Sequence, residues 1–108
     1  MSERPPDMTE LVLTLYVAGD TMRSREAIAN LRRICDEMLG GRPSCDVVDV
    51  LADPEAAESQ RILTTPTLVR ERPAPPRRVT GDLSDPQRVI ASLALSRADL
   101  PPHRDADA

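Results

Sequence analysis

The chain has no lysine, tryptophan or phenylalanine, and it has a single tyrosine, a single histidine and two cysteines. Each shortage removes a class of function. One aromatic ring offers no platform on which successive bases could stack, which excludes the usual single-stranded nucleic-acid reading. All 14 basic residues are arginine, and 18 acidic residues outnumber them; a net charge of -4 makes no field that would gather phosphates. No run approaches the roughly 20 apolar residues of a membrane span. The opening MSERPPDMTE lacks the apolar centre of a secretory leader. The expected setting is therefore the cytoplasm, with both thiols reduced and with neither membrane nor nucleic acid as a partner.

What remains is one small domain. The 108 residues are 40% apolar and 30% charged, a globular balance, and the core must be built from Leu, Val, Ile and Ala. Residues 1–10 read as a loose polar arm, 11–95 as the folded domain and 96–108 as a mobile polar tail. LVLTLYV (11–17) is almost continuously apolar, as a strand covered on both faces should be. Asp20 or Thr21 then caps a helix from Met22 to about Leu39, with Ile28, Leu31, Cys35 and Met38 or Leu39 along one stripe and Gly40-Gly41 as its stop. CDVVDVL (45–51) is a second strand.

Asp53-Pro54-Glu55 is a strong helix start, with the cap, the proline at the first helical position and an acid at the positive end of the dipole. This helix must be short, because Pro66 biases Thr65 away from helical geometry. TLVRE (67–71) is a third strand, RPAPP a stiff extended connector and RRVT (77–80) a fourth strand. Ser84 or Asp85 caps a last helix from Pro86 to about Leu95. The order β-α-β-α-β-β-α, with a right-handed βαβ unit followed by an antiparallel pair, is the thioredoxin-like α/β layout with a mixed sheet.

In thioredoxin-like redox enzymes an X-Pro-Thr such as Thr65-Pro66-Thr67 holds a cis peptide beside a reactive Cys-x-x-Cys. That thiol belongs at the start of the first helix, where the dipole lowers its pKa and a second cysteine resolves the mixed disulfide. Thr21 and Ser24 occupy that spacing here, and hydroxyls form no disulfide. Cys35 and Cys45 are expected to be small core hydrophobes. Ten residues apart and without a histidine neighbour, they spell no metal motif, and the glycines spell no phosphate loop. No catalytic residue, metal or cofactor is expected. The skeleton reads as one used for binding.

Four pieces, LYVAG, DVL-x-x-P, AE-x-x-x-IL-x-TPTL and RR-x-x-GDLS, stand in one order between about Leu13 and Leu95. In this arrangement the chain resembles the KaiB family of circadian clock proteins. The resemblance implies a non-enzymatic partner of KaiC, a hexameric RecA-like ATPase, docked on its N-terminal ring. It further implies a second state in which the C-terminal half repacks and the chain forms dimers or tetramers, and a KaiA-like protein or a histidine kinase as further partners. Residue by residue it points to Arg61, Arg70, Arg77 and Arg78 as partner contacts, and to Pro66, Pro73, Pro75 and Ser92 as the conformational switch. Three positions depart from the family pattern. Asp46 stands where KaiC-binding members commonly carry lysine, and Ser92 and Ala94 stand where the clock proteins carry Gly and Asp. Serine is the better helix former, so the thioredoxin-like state is expected to gain weight. The competing readings are a free-standing sensory module like the thioredoxin-like domain of the KaiC-binding histidine kinase, and a residual thiol-disulfide oxidoreductase.

Overall fold

The computed structural model describes residues 11–41 and 43–95; the arm and tail expected at 1–10 and 96–108, and with them His103, lie outside the described residues. Strand β1 (Val12–Val17) is buried at five of its six positions, which is why its sequence shows no alternation. It lies parallel to β2 (Ser44–Asp49) on one side and antiparallel to β3 (Thr67–Arg72) on the other. Strand β4 (Arg77–Thr80) pairs antiparallel with β3, so the sheet order is β2-β1-β3-β4. The family of folds expected from the sequence is the one observed.

Register divides the side chains between two faces. Leu13, Leu15 and Val17 of β1 share a face with Leu68 and Val79, their neighbours across the sheet. Helix α1 (Met22–Glu37) covers this face with Ala27, Leu31, Ile34 and Cys35, followed by the fully buried Leu39. Helix α3 (Pro86–Ser92) adds Val89, and Leu93 follows it. Thr14, Tyr16, Thr67 and Val69 are buried on the opposite face, where helix α2 (Pro54–Gln60) lies with none of its own residues buried. The sole tyrosine sits there, its hydroxyl 3.4 Å from Glu71 Oε2; burial, and then the neighbouring carboxylate, push its pKa upward.

Local chemistry fixes the helix ends. Thr21 Oγ1 accepts the Ser24 amide, Asp53 that of Ala56, and Asp85 that of Arg88, and prolines open α2 and α3. Between the expected alternatives, Thr21 and Asp85 are the caps. Two helices end earlier than their apolar stripes imply. Helix α1 stops at Glu37, and α3 stops at Ser92, because Ala94 turns into the left-handed region at φ 53°. Strand β2 likewise ends at Asp49, with Val50 and Leu51 in the turn beyond it. The Thr65–Pro66, Arg72–Pro73 and Ala74–Pro75 bonds are cis, the first as the X-Pro-Thr motif leads one to expect. Gly81 holds φ 112°, a conformation glycine alone takes without strain, and its amide reaches Pro66 O at 2.9 Å.

Two carboxylates tie these turns down. Asp49 Oδ1 accepts the amides of Gly19 (2.9 Å) and Leu51 (3.0 Å), holding the end of β2 to the β1–α1 turn. Those bonds keep its carboxyl below the usual range, as the Ser84 hydroxyl and amide do for Asp82. A depressed folded pKa gives stability that is complete above the unfolded carboxyl pKa and is lost as pH falls through the folded value. The melting temperature should therefore hold level toward pH 5 and fall once pH drops below about 4. Asp49→Asn keeps an acceptor oxygen without the charge; thermal melts from pH 7 to 3 should show a shallower acid decline for this variant, and an unchanged decline would refute the assignment.

Candidate functional site

Helix α2 runs from an acidic first turn, with Asp53 and Glu55, to Arg61 at its C-terminal end. Arg61 caps it in the left-handed conformation (φ 53°, ψ 50°), and the Ile62 amide returns to Ala57 O at 2.9 Å. This sharp exit throws Leu63 into solvent at 94% exposure, and Leu51, in the turn before α2, is 70% exposed. Pro54, Ala57, Glu58, Arg61, Ile62 and Leu63 line a shallow, open depression of about 510 Å³. The surface is thus a small apolar patch with charge of both signs along its rim.

The four expected arginines do not form one cluster. Arg61 and Arg78 meet: Arg78 on β4 donates through Nη1 to Arg61 O (3.1 Å) and through Nη2 to Gln60 O (2.8 Å). Those are carbonyls that the end of a helix leaves without internal partners, so Arg78 fastens α2 to the sheet. Arg77, one residue earlier, is exposed on the other face by strand alternation.

Arg70 corrects the expectation of a surface contact. It is 5% exposed, with Nη1 3.3 Å from Ala94 O and Nη2 2.7 Å from Pro75 O, while Nε makes no hydrogen bond. The reason is register: Arg70 pairs with Leu13 and Arg77, which puts its side chain on the core face under the end of α3. In this packing it clamps the connector and the C-terminal segment to β3 rather than lying on the surface.

Among the switch residues expected from the sequence, Pro66 is buried at the mouth of β3. Pro73 and Pro75 belong to the connector that Arg70 grips, and Ser92 is the last residue of α3. Asp46 is exposed on β2; its register with Thr14 puts it on the α2 face, so the departure from lysine lies on that side of the sheet. The exposed Leu63 and Leu51 escaped the sequence reading. The available signal was an apolar pair, Ile62-Leu63, caught between a helix that must end and a proline that forbids its continuation.

At the position where a redox thiol would stand, the hydroxyls are occupied. Thr21 Oγ1 accepts the Ser24 amide and donates to Ser24 Oγ, each at 3.1 Å, and Ser24 is buried. Among the described residues no group of three or more His, Cys, Asp or Glu side chains could hold a metal ion. No described helix is long and apolar enough to cross a membrane. Cys35 is buried as expected, but Cys45 is not a core residue: β2 is an edge strand, and the cysteine is exposed there.

Comparison with known proteins supplies the context. The profile of the KaiB domain matches residues 14–95. The circadian clock protein KaiB3 of Synechocystis is 44% identical over 89 residues, which cover 82% of this chain and 87% of that one. Among solved structures, the N-terminal domain of Synechococcus elongatus SasA superposes with TM-score 0.68 over 90% of this chain and 94% of that one, at 23% identity. Fasciola hepatica thioredoxin gives TM-score 0.65 over 80% of each chain at 17% identity. The last two establish the fold alone.

Proposed function

The chain belongs to the KaiB family, and we propose that it works without catalysis, as a cytoplasmic interaction protein that docks on a KaiC-like hexameric ATPase ring and regulates a circadian or stress-response output. The observation that carries the reading is the exposure of Leu63 beside Arg61 at the end of α2. A large aliphatic side chain held in water, next to an arginine and above a shallow apolar depression, has the composition of the centre of a protein interface. Arg78 enters this picture as the residue that positions the α2 terminus, and Arg77 as a rim charge at the open edge of the sheet. The family's second packing, with a homodimer or homotetramer as its assembly, belongs to the same reading. Pro66, Pro73, Pro75 and Ser92 are the places where the two packings would diverge, and a KaiA-like protein or a histidine kinase would be a further partner of the docked form.

Arg61 offers a clean probe. Because its φ is positive, Arg61→Gly removes the guanidinium and relieves backbone strain, so the fold should be unharmed or gain about 0.5–1 kcal/mol. Combined with Leu63→Ser, it should weaken binding to the host's KaiC homologue at least tenfold, while Arg77→Glu should act mainly on the association rate and its salt dependence. Binding is measured by surface-immobilised KaiC with ATP and with ADP. A wild-type chain that binds under neither nucleotide, or a double variant of unchanged affinity, defeats the proposal.

A further inference from the structure

Cys35 and Cys45 stand with their sulfurs 3.1 Å apart, although ten residues separate them in sequence. The short connection after α1 reverses the chain, so the last turns of the helix lie over the first residues of β2. The register of Cys45 with Leu13 turns it toward the helix. The two thiols are not equivalent: Cys35 is 7% exposed inside the core cluster, while Cys45 is open to solvent on an edge strand. Between them and Ile28, Leu31, Arg32 and Val47 lies a recess of about 160 Å³, room enough for a small molecule to reach the sulfurs. This chemistry is unrelated to the helix-start site where thioredoxins keep their thiols, which capping hydroxyls fill here.

We propose that Cys35 and Cys45 form a peroxide-reactive pair, with Cys45 as the attacking thiolate and Cys35 as the resolving thiol that closes a disulfide between α1 and β2. Exposure sets the roles: Cys45 meets solvent on the edge strand, while Cys35 lies in the core. The electrostatics run the same way, since bonding to Cys45 and burial push the Cys35 pKa up and the same bond lowers that of Cys45. The partial shielding of its sulfur against α1, and the carboxylates of Asp46 and Asp36, oppose the Cys45 thiolate, and Arg32 lines the same recess. The acids also select the oxidant: neutral hydrogen peroxide meets no repulsion, whereas an anionic disulfide such as oxidised glutathione does.

The steps balance. The Cys45 thiolate attacks one peroxide oxygen, the O–O bond breaks, and the departing hydroxide takes a proton to become water, leaving a sulfenic acid on Cys45. The Cys35 sulfur then attacks the Cys45 sulfur; the S–S bond forms, the S–O bond breaks, and the oxygen leaves as water with the Cys35 proton. Two thiols lose two electrons in all, and one peroxide becomes two waters. Closing from 3.1 Å to a bonding distance near 2.05 Å needs roughly 1 Å of movement. In a reducing compartment such a bond would be transient, formed during oxidant exposure and reversed by the thiol pool.

The test uses the full chain, fully reduced and then treated with equimolar hydrogen peroxide without air. The intact mass of the chain should fall by two hydrogens with no covalent link between chains, a digest should yield the Cys35–Cys45 linked peptide, and dithiothreitol should restore the starting mass. The cross-linked form should melt higher, by on the order of 5–10 °C. Cys45→Ser, at an exposed position that tolerates the change, should show neither response. Cys35→Ala should stop after gaining one oxygen, captured by dimedone. The proposal is overturned if the wild-type chain keeps both thiols, links between chains instead of within one, or takes two oxygens on Cys45 without a cross-link.

Discussion

Replacing Arg70 with alanine is expected to lower the unfolding free energy by about 3 kcal/mol, from the loss of two charge-assisted hydrogen bonds worth ~1.5–3 kcal/mol each, partly offset by the cost of burying a cation. The offset matters because Nε makes no hydrogen bond, so the burial of this guanidinium is incompletely compensated. Two carbonyls depend on it, Pro75 O in the connector and Ala94 O beyond α3. Neither sits in a strand or helix ladder, and Ala94 is held in the left-handed region, where an L-residue is strained. The clamp therefore contributes where the backbone alone contributes least. Arg70→Lys keeps the charge but lacks the fork that places separate nitrogens on the two carbonyls, and it should fall between wild type and Arg70→Ala. Arg70→Met keeps most of the stem's packing without donors and should resemble alanine. Urea unfolding decides the matter: a methionine variant as stable as wild type would mean that the two hydrogen bonds do no more than offset the burial of the charge. In the proposed reading Arg70 acts on KaiC only by keeping the C-terminal half in the thioredoxin-like packing.

That role shows where sequence reasoning reached its limit. The order of elements was legible because its signals are local: β1 carries a continuous apolar run, Asp53-Pro54 and Asp85-Pro86 are cap-and-proline starts, and Gly40-Gly41 is a stop. The loss of the redox pair was legible too, since Thr21 and Ser24 are read directly. The burial of Arg70 was not, because strand TLVRER gives its alternation but not which face the end of α3 approaches. Cys45 looks like a core residue until the sheet order places β2 at an edge. The capping role of Arg78 is not written in the sequence either, because the carbonyls it bonds, on Gln60 and Arg61, are brought to it only by the tertiary fold. In each case the missing quantity was a contact between distant segments, which composition and periodicity do not encode.

Leu68→Ala should cost about 3–4 kcal/mol, while Leu63→Ala, five positions away, should stay within about 0.5 kcal/mol of wild type. Leu68 has no exposed surface; it lies opposite Leu15 on one side and Val79 on the other, in the middle of the sheet, and faces the cluster supplied by α1 and α3. Truncation there leaves a cavity that cannot collapse, because β3 is fixed by ladders on both edges. Small domains have only about 5–15 kcal/mol in hand, so this variant should be marginal near physiological temperature. Its urea midpoint should drop while the slope stays constant, as expected when the native and unfolded surfaces are otherwise unchanged. Leu63 is almost wholly in water and loses no burial on truncation. Its substitution should be felt only where a partner covers it. If the proposed docking holds, folding and docking should be separable along one short stretch of chain: Leu68→Ala should weaken the fold, and Leu63→Ala should leave the fold intact and weaken association with the proposed ATPase partner. A Leu63→Ala chain that melts several degrees lower would place this leucine in the core and remove the apolar centre from the proposed interface.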